Sequence, residues 1–349
     1  MQDAGSTEGN IPWVSFCMST YKRPDFLEKQ IQGLLKQTFT DFEIIISDND
    51  PEASAKKVVD LFTDQRIVYQ LNQENLGMVK SFNNSLARAR GAFVVMITDD
   101  DPVYPDMLET LKGLSEQYPG YGVYQGGCEV LCYTPSSAKV MRSKVGINSC
   151  LSSEMDYGAV KIYSAKEFPY IFFSGKLGSL LLWSVAVIRR EILLENGGMP
   201  DYGTEYFTDH AYNVVNCSHS GMVYVNRALG HQAIHGENFG FNQIRNIEKY
   251  KLIPANFTGW IEERMKKRAD WPELKKEMYS FTGRAMVEFS LFIKKSLKEL
   301  GLPDEDFKKA LNSVFKITYL RKWKRKFILL SKYPATFSYL LQLKQKFLN

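Results

Sequence analysis

Between residues 11 and 115, short apolar runs alternate with segments whose apolar positions recur every three or four residues. Residues 14–18 (VSFCM), 43–47 (EIIIS), 67–71 (IVYQL) and 93–98 (FVVMIT) read as short strands covered on both faces. Phe26, Ile31, Leu34 and Leu35 share one face of a helix after the first run. Further helices are predicted over 53–62, over 79–89 and onward from Pro105. This alternation predicts an α/β fold with a Rossmann-like, doubly wound, mostly parallel sheet. The pattern then changes: residues 120–235 mix glycines, aromatics and short apolar runs, and helical spacing returns over 244–268, 273–300 and 304–317. The expected organisation is a catalytic domain over 11–240, split into a nucleotide-binding half (11–115) and an acceptor half (116–240). A helical region (241–315) and a tail (316–349) follow.

The tail changes the charge picture. The chain of 349 residues has a formal net charge of +5, yet residues 316–349 contain nine Lys or Arg and no acid, so the rest is mildly acidic. Trp323, Phe327, Leu329 and Leu340 are interleaved with these cations, and Pro334 divides them. That is the composition of an interfacial helix pair for an anionic membrane surface. No nucleic-acid-binding fold accompanies the charge, so nucleic acid is not an expected partner. The longest uncharged apolar stretch, 177–188, has 12 residues, too few to span a bilayer, and the first ten residues lack a signal-peptide pattern. Five cysteines without a CxxC pair argue against a disulfide framework and for a reducing cytosol.

Ligands of an open parallel sheet bind outside the carboxyl ends of its strands. Three polar clusters fall there: Thr20-Tyr21-Lys22-Arg23, Asp48-Asn49-Asp50 and Asp99-Asp100-Asp101. No GxGxxG follows the first strand and no GxxxxGK[ST] occurs, which removes the usual dinucleotide folds and P-loop enzymes. Three adjacent carboxylates at a buried strand end call for a cation, and hard oxygen ligands suit Mn²⁺ or Mg²⁺ completed by substrate phosphates. A solvated turn capping the next helix is the plainer reading of an isolated triplet, but the all-apolar strand before this one and the two polar strand ends nearby reverse that order. His231 and His235 have a spacing that fits a metal on one helix face. Gly230 and Gly236 bracket them, however, so a loop over the diphosphate or acceptor is the expectation.

VSFCMSTYKRPDFLEKQIQGLLKQTFTDFEIIISDND, followed by NLGMVKSFNNSLARARGAFVVMITDDDPVYPDML, resembles the nucleotide-binding half of family-2 glycosyltransferases of the GT-A fold. FFSGKLGSLLLWSVAVIRREIL and the basic helical end more loosely resemble bacterial O-antigen transferases of the abequosyltransferase type. The resemblance implies nucleoside and diphosphate contacts at Thr20, Tyr21 and Arg23. It implies base recognition at Asp48, with Asn49 and Asp50 as alternatives, and nucleotide contacts at Gly77 and Lys80. Aligning Pro105 with the family's proline puts Thr98 at the first DxD position and makes Asp100 the direct metal ligand. Asp101, matching the family's common extra Asp, is implied as a second metal residue, and Asp99 is a nucleotide-site residue. A general base in the acceptor half is implied within YGTEYFTDH: Asp209 first, Glu205 second.

The activity implied is transfer of a sugar from a nucleotide-sugar donor to a polyprenyl-diphosphate-linked glycan, as in O-antigen or capsule assembly. It would be metal-dependent and inverting, carried out by a peripheral protein on the cytoplasmic face of the bacterial inner membrane. A nucleotidyltransferase is the enzymatic alternative, although STYKRP lacks the glycines such a loop needs. A non-catalytic, membrane-bound degenerate transferase is the other.

Overall fold

The computed structural model describes residues 11–141, 143–177, 181–235, 238, 246–299 and 301–333. Two compact units divide the chain. The first takes the described residues up to Phe172 with those of Leu177–Asp201 and Thr208–Gly236. The second takes Phe173–Lys176, Tyr202–Phe207 and the described residues of Glu237–Asn349. The boundary expected at 240/241 lies outside the described residues.

The first unit begins with β1 (Val14–Thr20), α1 (Pro24–Leu34), β2 (Phe42–Asp48), α2 (Lys56–Val59), β3 (Ile67–Leu71), α3 (Met78–Leu86) and β4 (Phe93–Thr98). Then come α4 (Met107–Gln117), β5 (Val123–Cys132), α5 (Pro135–Met141), β6 (Gly146–Ser149), β7 (Val160–Tyr163) and α6 (Phe168–Ser174). β8 (Ala186–Arg189), α7 (Arg190–Glu195), α8 (Thr208–Ser220) and β9 (Met222–Ile234) complete it. Among the described residues nine strands form one sheet in the order β3-β2-β1-β4-β8-β5-β9-β7, with β6 paired to β5. β1, β2, β3 and β4 are mutually parallel, and β5 is parallel to β9. β8 runs antiparallel to both β4 and β5, and β6 and β7 are antiparallel to their neighbours. β8 meets β4 only at Phe93 and Val94, and the turn Trp183–Val185 lies alongside the rest of β4.

The apolar runs are buried because helices cover both faces. Val14, Phe16, Met18, Ile44, Ile46, Val95 and Ile97 pack in one cluster with Leu27, Ile31 and Leu34 of α1 and Leu108 and Leu111 of α4. Each such side chain contributes about 1.5–3 kcal/mol by leaving water. α3 packs on β1 and β2. At the sheet's other end the buried Glu43 is satisfied by the Ser15 hydroxyl (2.7 Å), Arg90 N–H (2.7 Å) and Arg90 Nε (3.0 Å). Those donors replace the water that burial removes from its oxygens.

Two expectations are corrected. The helix expected over 53–62 shrinks to Lys56–Val59, because Ala53 takes a positive φ of 57° and the Asp48 carboxylate accepts the Ala55 N–H. His231 lies not on a helix face but in β9, which pairs with β5; His235 follows the strand's end, and the loop expected beyond it, over 236–245, lies outside the described residues except for 238. Four residues of extended chain separate His231 from His235 by about 13 Å, too far to share one ion.

The second unit is helical: α9 (Ile247–Met265), α10 (Trp271–Glu299), α11 (Glu305–Val314) and α12 (Arg321–Lys332). Its core holds Tyr250, Ile253, Met286, Val287, Phe307, Leu320, Phe327 and Leu330. No helix of the described residues is long and apolar enough to cross a membrane. The Pro334 break and the tail beyond it lie outside the described residues.

Candidate active site

β1, β2 and β4 are parallel and adjacent, so their carboxyl ends bring Thr20, Asp48 and Asp99 to one edge. Pro24 starts α1 immediately after Arg23, which aims the arginine across the end of β4. Its guanidinium bonds Asp99 Oδ1, and at 2.7 Å it bonds Asp100 Oδ2. Thr20 Oγ1 donates to Asp99 Oδ2 at 2.7 Å. Asp99 is almost wholly buried, and burial pushes its carboxyl up to about 7 while Arg23 pulls it back.

His235 Nε2 lies 3.0 Å from Asp100 Oδ2, and the ring packs 4.6 Å from Phe26. Burial opposes charge on Asp100 too, but His235 and Arg23 prevail and hold it below the usual carboxylate range. Asp101 has other duties. Its Oδ1 accepts the Ala233 N–H (2.9 Å), its Oδ2 accepts the Ser184 hydroxyl (3.4 Å), and burial raises its pKa. Thr98, standing where the family has its first acid, accepts the Asp101 N–H through Oγ1 at 3.1 Å. It therefore shapes the turn rather than adding charge. Gly230 of β9 crosses close by; a Cβ there would meet Pro102 O at 2.8 Å.

At the β2 tip, Asp48 is fully buried. It accepts the N–H groups of Asp50 (3.1 Å) and Ala55 (3.2 Å) and the Tyr69 hydroxyl (2.9 Å). Asn49 Oδ1 accepts Leu76 N–H (2.8 Å), and its Nδ2 donates to Asn75 Oδ1 (2.8 Å). Asn75 also turns the chain into Gly77, whose φ of 79° leads into α3. Asp50 is buried beside Lys22 (3.8 Å), and Tyr21 and Lys80 are exposed.

Of the two histidines, only His235 reaches the acid cluster. His231 Nε2 is held by the Tyr104 hydroxyl (2.9 Å) and Glu129 (3.2 Å), and burial lowers its pKa against Glu129's pull. Asp209 lies in the first turn of α8 with its side chain 50% exposed. Its Oδ1 accepts the His210 N–H (2.8 Å) and pairs with His210 Nδ1 (2.7 Å). Desolvation by packed atoms would raise its pKa, yet His210 outweighs this and lowers it. Both oxygens of Glu205 meet Lys249 Nζ at 2.6 Å.

Sequence reasoning missed Gln30 and Asn83. Gln30 Nε2 ties α1 to the carbonyls of Thr98 (3.0 Å) and Asp101 (2.8 Å), and a polar residue among Leu27, Ile31 and Leu34 was its signal. Asn83 clamps Met199, donating to its carbonyl (3.0 Å) and accepting its N–H (2.7 Å).

The profile of glycosyl transferase family 2 matches residues 15–136. A GalNAc(5)-diNAcBac-PP-undecaprenol beta-1,3-glucosyltransferase of Campylobacter jejuni is 29% identical over 63% of this chain and 64% of its own length. The abequosyltransferase of Salmonella typhimurium is 31% identical over 28% of this chain and 31% of its own. The chain thus spans less than two thirds of either relative. Among solved structures, the Pyrobaculum calidifontis mannosyltransferase in complex with GDP-Man and Mn²⁺ aligns with TM-score 0.52 and 13% identity, covering 93% of this chain and 88% of its own. S. aureus TarS 1–349 aligns with TM-score 0.50 and 13% identity, covering 90% and 91%. These likenesses extend the fold over both units. Over residues 15–136 this chain is similar to glycosyl transferase family 2, and its mostly parallel sheet with a helical C-terminal region is of the GT-A kind.

Proposed function

We propose that the chain transfers a sugar from a nucleoside-diphosphate donor to a lipid-linked glycan, a step in building a bacterial surface polysaccharide of the O-antigen or capsule kind. The Campylobacter relative is named for an undecaprenyl-diphosphate glycan acceptor, and TarS is described in complex with UDP-GlcNAc. The observation that carries the reading is Asp100, a carboxylate at the end of β4 touched by both Arg23 and His235.

The donor set fits a divalent cation in part. Asp100 offers a hard oxygen and His235 an imidazole nitrogen, a mixture Mn²⁺ accepts. Among the described residues no group of three ligands is assembled, so diphosphate oxygens would complete the shell. Asp101, whose oxygens serve Ala233 and Ser184, stays outside that shell. When bound, the cation would offset the charge of the departing diphosphate.

The chain's own residues do the rest. Arg23, bridging two acids, is a cation that a diphosphate can recruit. The locked loop of Asn49, Asn75 and Gly77 offers a fixed edge for the base, with Lys80 in the first turn of α3. Asp209, ionised across neutral pH, takes the proton of the attacking hydroxyl, and one displacement inverts the anomeric centre. Glu205, held by Lys249, is the poorer base. Membrane association is supported by α12, where Lys322, Lys324, Arg325 and Lys326 are exposed beside exposed Ile328 and Leu329. The protein would therefore act peripherally on the cytoplasmic membrane face. Calorimetry of nucleoside diphosphates and nucleotide sugars, with and without Mn²⁺, tests the reading. Metal-dependent binding that Asp100→Ala removes is expected; no binding of any nucleotide would end it.

A further inference from the structure

A second basic and apolar surface sits beside the donor site, on the sheet itself. β5 and β6 form an antiparallel hairpin in which Leu131 stands opposite Ile147. Ile147 is 58% exposed, and Val145 (56%) and Tyr133 (50%) lie just beyond the paired residues. This is more apolar exposure than a solvated hairpin requires, and it is concentrated on few residues. The outward face of β5 continues onto β9, where Leu131 is in register with Ala233, whose N–H holds Asp101. Tyr133 also packs edge-on against His235 at 6.2 Å, and His235 holds Asp100. The exposed patch is therefore the lip of the acid site.

Its charge is one-sided. From 130 to 153 the sequence contains no Asp or Glu and three cations, Lys139, Arg142 and Lys144. Lys139 and Lys144 are exposed, and Arg142 lies outside the described residues. Glu129, where the patch begins, is engaged by the Tyr104 hydroxyl at 2.6 Å. Exposed aliphatic and aromatic side chains, flanked by lysines and free of carboxylates, have the chemistry of an anionic lipid surface: cations for headgroups, apolar groups for the acyl boundary.

We infer that the β5–β6 hairpin is a membrane-docking lip that sets the mouth of the donor site against an anionic lipid surface. Val145, Ile147 and Tyr133 enter the interface, and Lys139 and Lys144 pair with headgroups. The assignment rests on the lipid-linked acceptor proposed above, because only such an acceptor is presented at that plane. It adds a contact in the sheet unit to the one expected of α12.

Sedimentation of the full-length protein with phosphatidylglycerol-containing vesicles, against pure phosphatidylcholine vesicles, provides the test. Val145→Asp with Ile147→Asp should weaken partitioning onto the anionic vesicles by about tenfold. Lys139→Glu with Lys144→Glu should lower it and flatten its salt dependence. These residues are exposed and contribute nothing to the donor contacts, so unchanged melting and nucleotide-diphosphate affinity serve as controls. Native-like pelleting of both variants, with pelleting lost only in Ile328→Asp with Leu329→Asp of α12, would overturn the inference and leave the transfer reading intact. Loss of concentration-dependent self-association in place of vesicle binding would also overturn it, making the patch an interface between copies. Absence of nucleotide binding by the native protein would sink the transfer reading instead, a separate measurement from vesicle partitioning.

Discussion

The β2 and β4 tips flank the tip of β1 and are written in nearly the same letters, Asp-Asn-Asp and Asp-Asp-Asp. At β2 the polar atoms close their own loop: Asp48 holds two N–H groups and a phenol, and Asn49 holds Leu76 and Asn75. At β4, Asp100 is held by side chains, chiefly Arg23 and His235 from other elements, with Thr98 beside them. A carboxylate bound by backbone gives shape, because its partners cannot leave without unfolding the loop. One bound by mobile cations gives reactivity, because a phosphate or a metal ion can compete for it. Similar composition therefore says little about role until the donors are named.

This contrast can be broken by mutation. The largest effect is expected from Asp100→Ala: turnover lower by roughly 10³-fold, with metal-dependent nucleotide affinity lost in calorimetry while the melting temperature stays near native. A large drop in melting temperature instead would make β4 a structural tip like β2. Asp209→Asn sharpens the contrast from the acceptor side. It should lower turnover about 10²-fold or more, with donor affinity retained. Because His210 holds Asp209 below the usual carboxylate range, the base stays charged, and turnover should not decline through its protonation between about pH 7 and pH 5.

Asp48→Ala should do the reverse of Asp100→Ala. It strands the Asp50 and Ala55 N–H groups and the Tyr69 hydroxyl, costing about 1–3 kcal/mol in denaturant unfolding. Nucleotide affinity would fall only as the loop loosens. The smallest effect concerns His231. Burial lowers its pKa in the folded state, so the unfolded chain binds that proton more readily. This group's contribution is present above about pH 6.5 and fades as pH falls through that value. His231→Asn should flatten that part of the stability profile relative to native protein.

The sequence displayed the first four strands to within a residue or two, because an apolar run buried on both faces has few alternatives. Ala53 defeated the second helix, since a positive φ leaves no compositional trace there. β8 was illegible for another reason: Ala186–Ile188 continue an apolar run, and their direction is decided by β4 and β5 rather than by local pattern. In the site, the acid triplet was visible, but the division of labour within it was not. Asp101 and Asp100 differ by their partners, Ala233 and His235, which lie more than a hundred residues away. The sequence ranked Asp209 ahead of Glu205, but not their partners: His210 takes one oxygen of Asp209, and Lys249 both oxygens of Glu205.

β8 is laddered to β4 through Phe93 and Val94 alone, so the acidic tip of β4 is not laddered to the strand beside it. The sheet has a seam there, spliced by a four-residue strap. Segments downstream of such a splice can be exchanged, lengthened or redecorated during divergence without re-registering the parallel strands upstream. On the transfer reading proposed above, such exchange would change what receives the sugar while Thr20, Arg23 and Asp100 keep their places upstream.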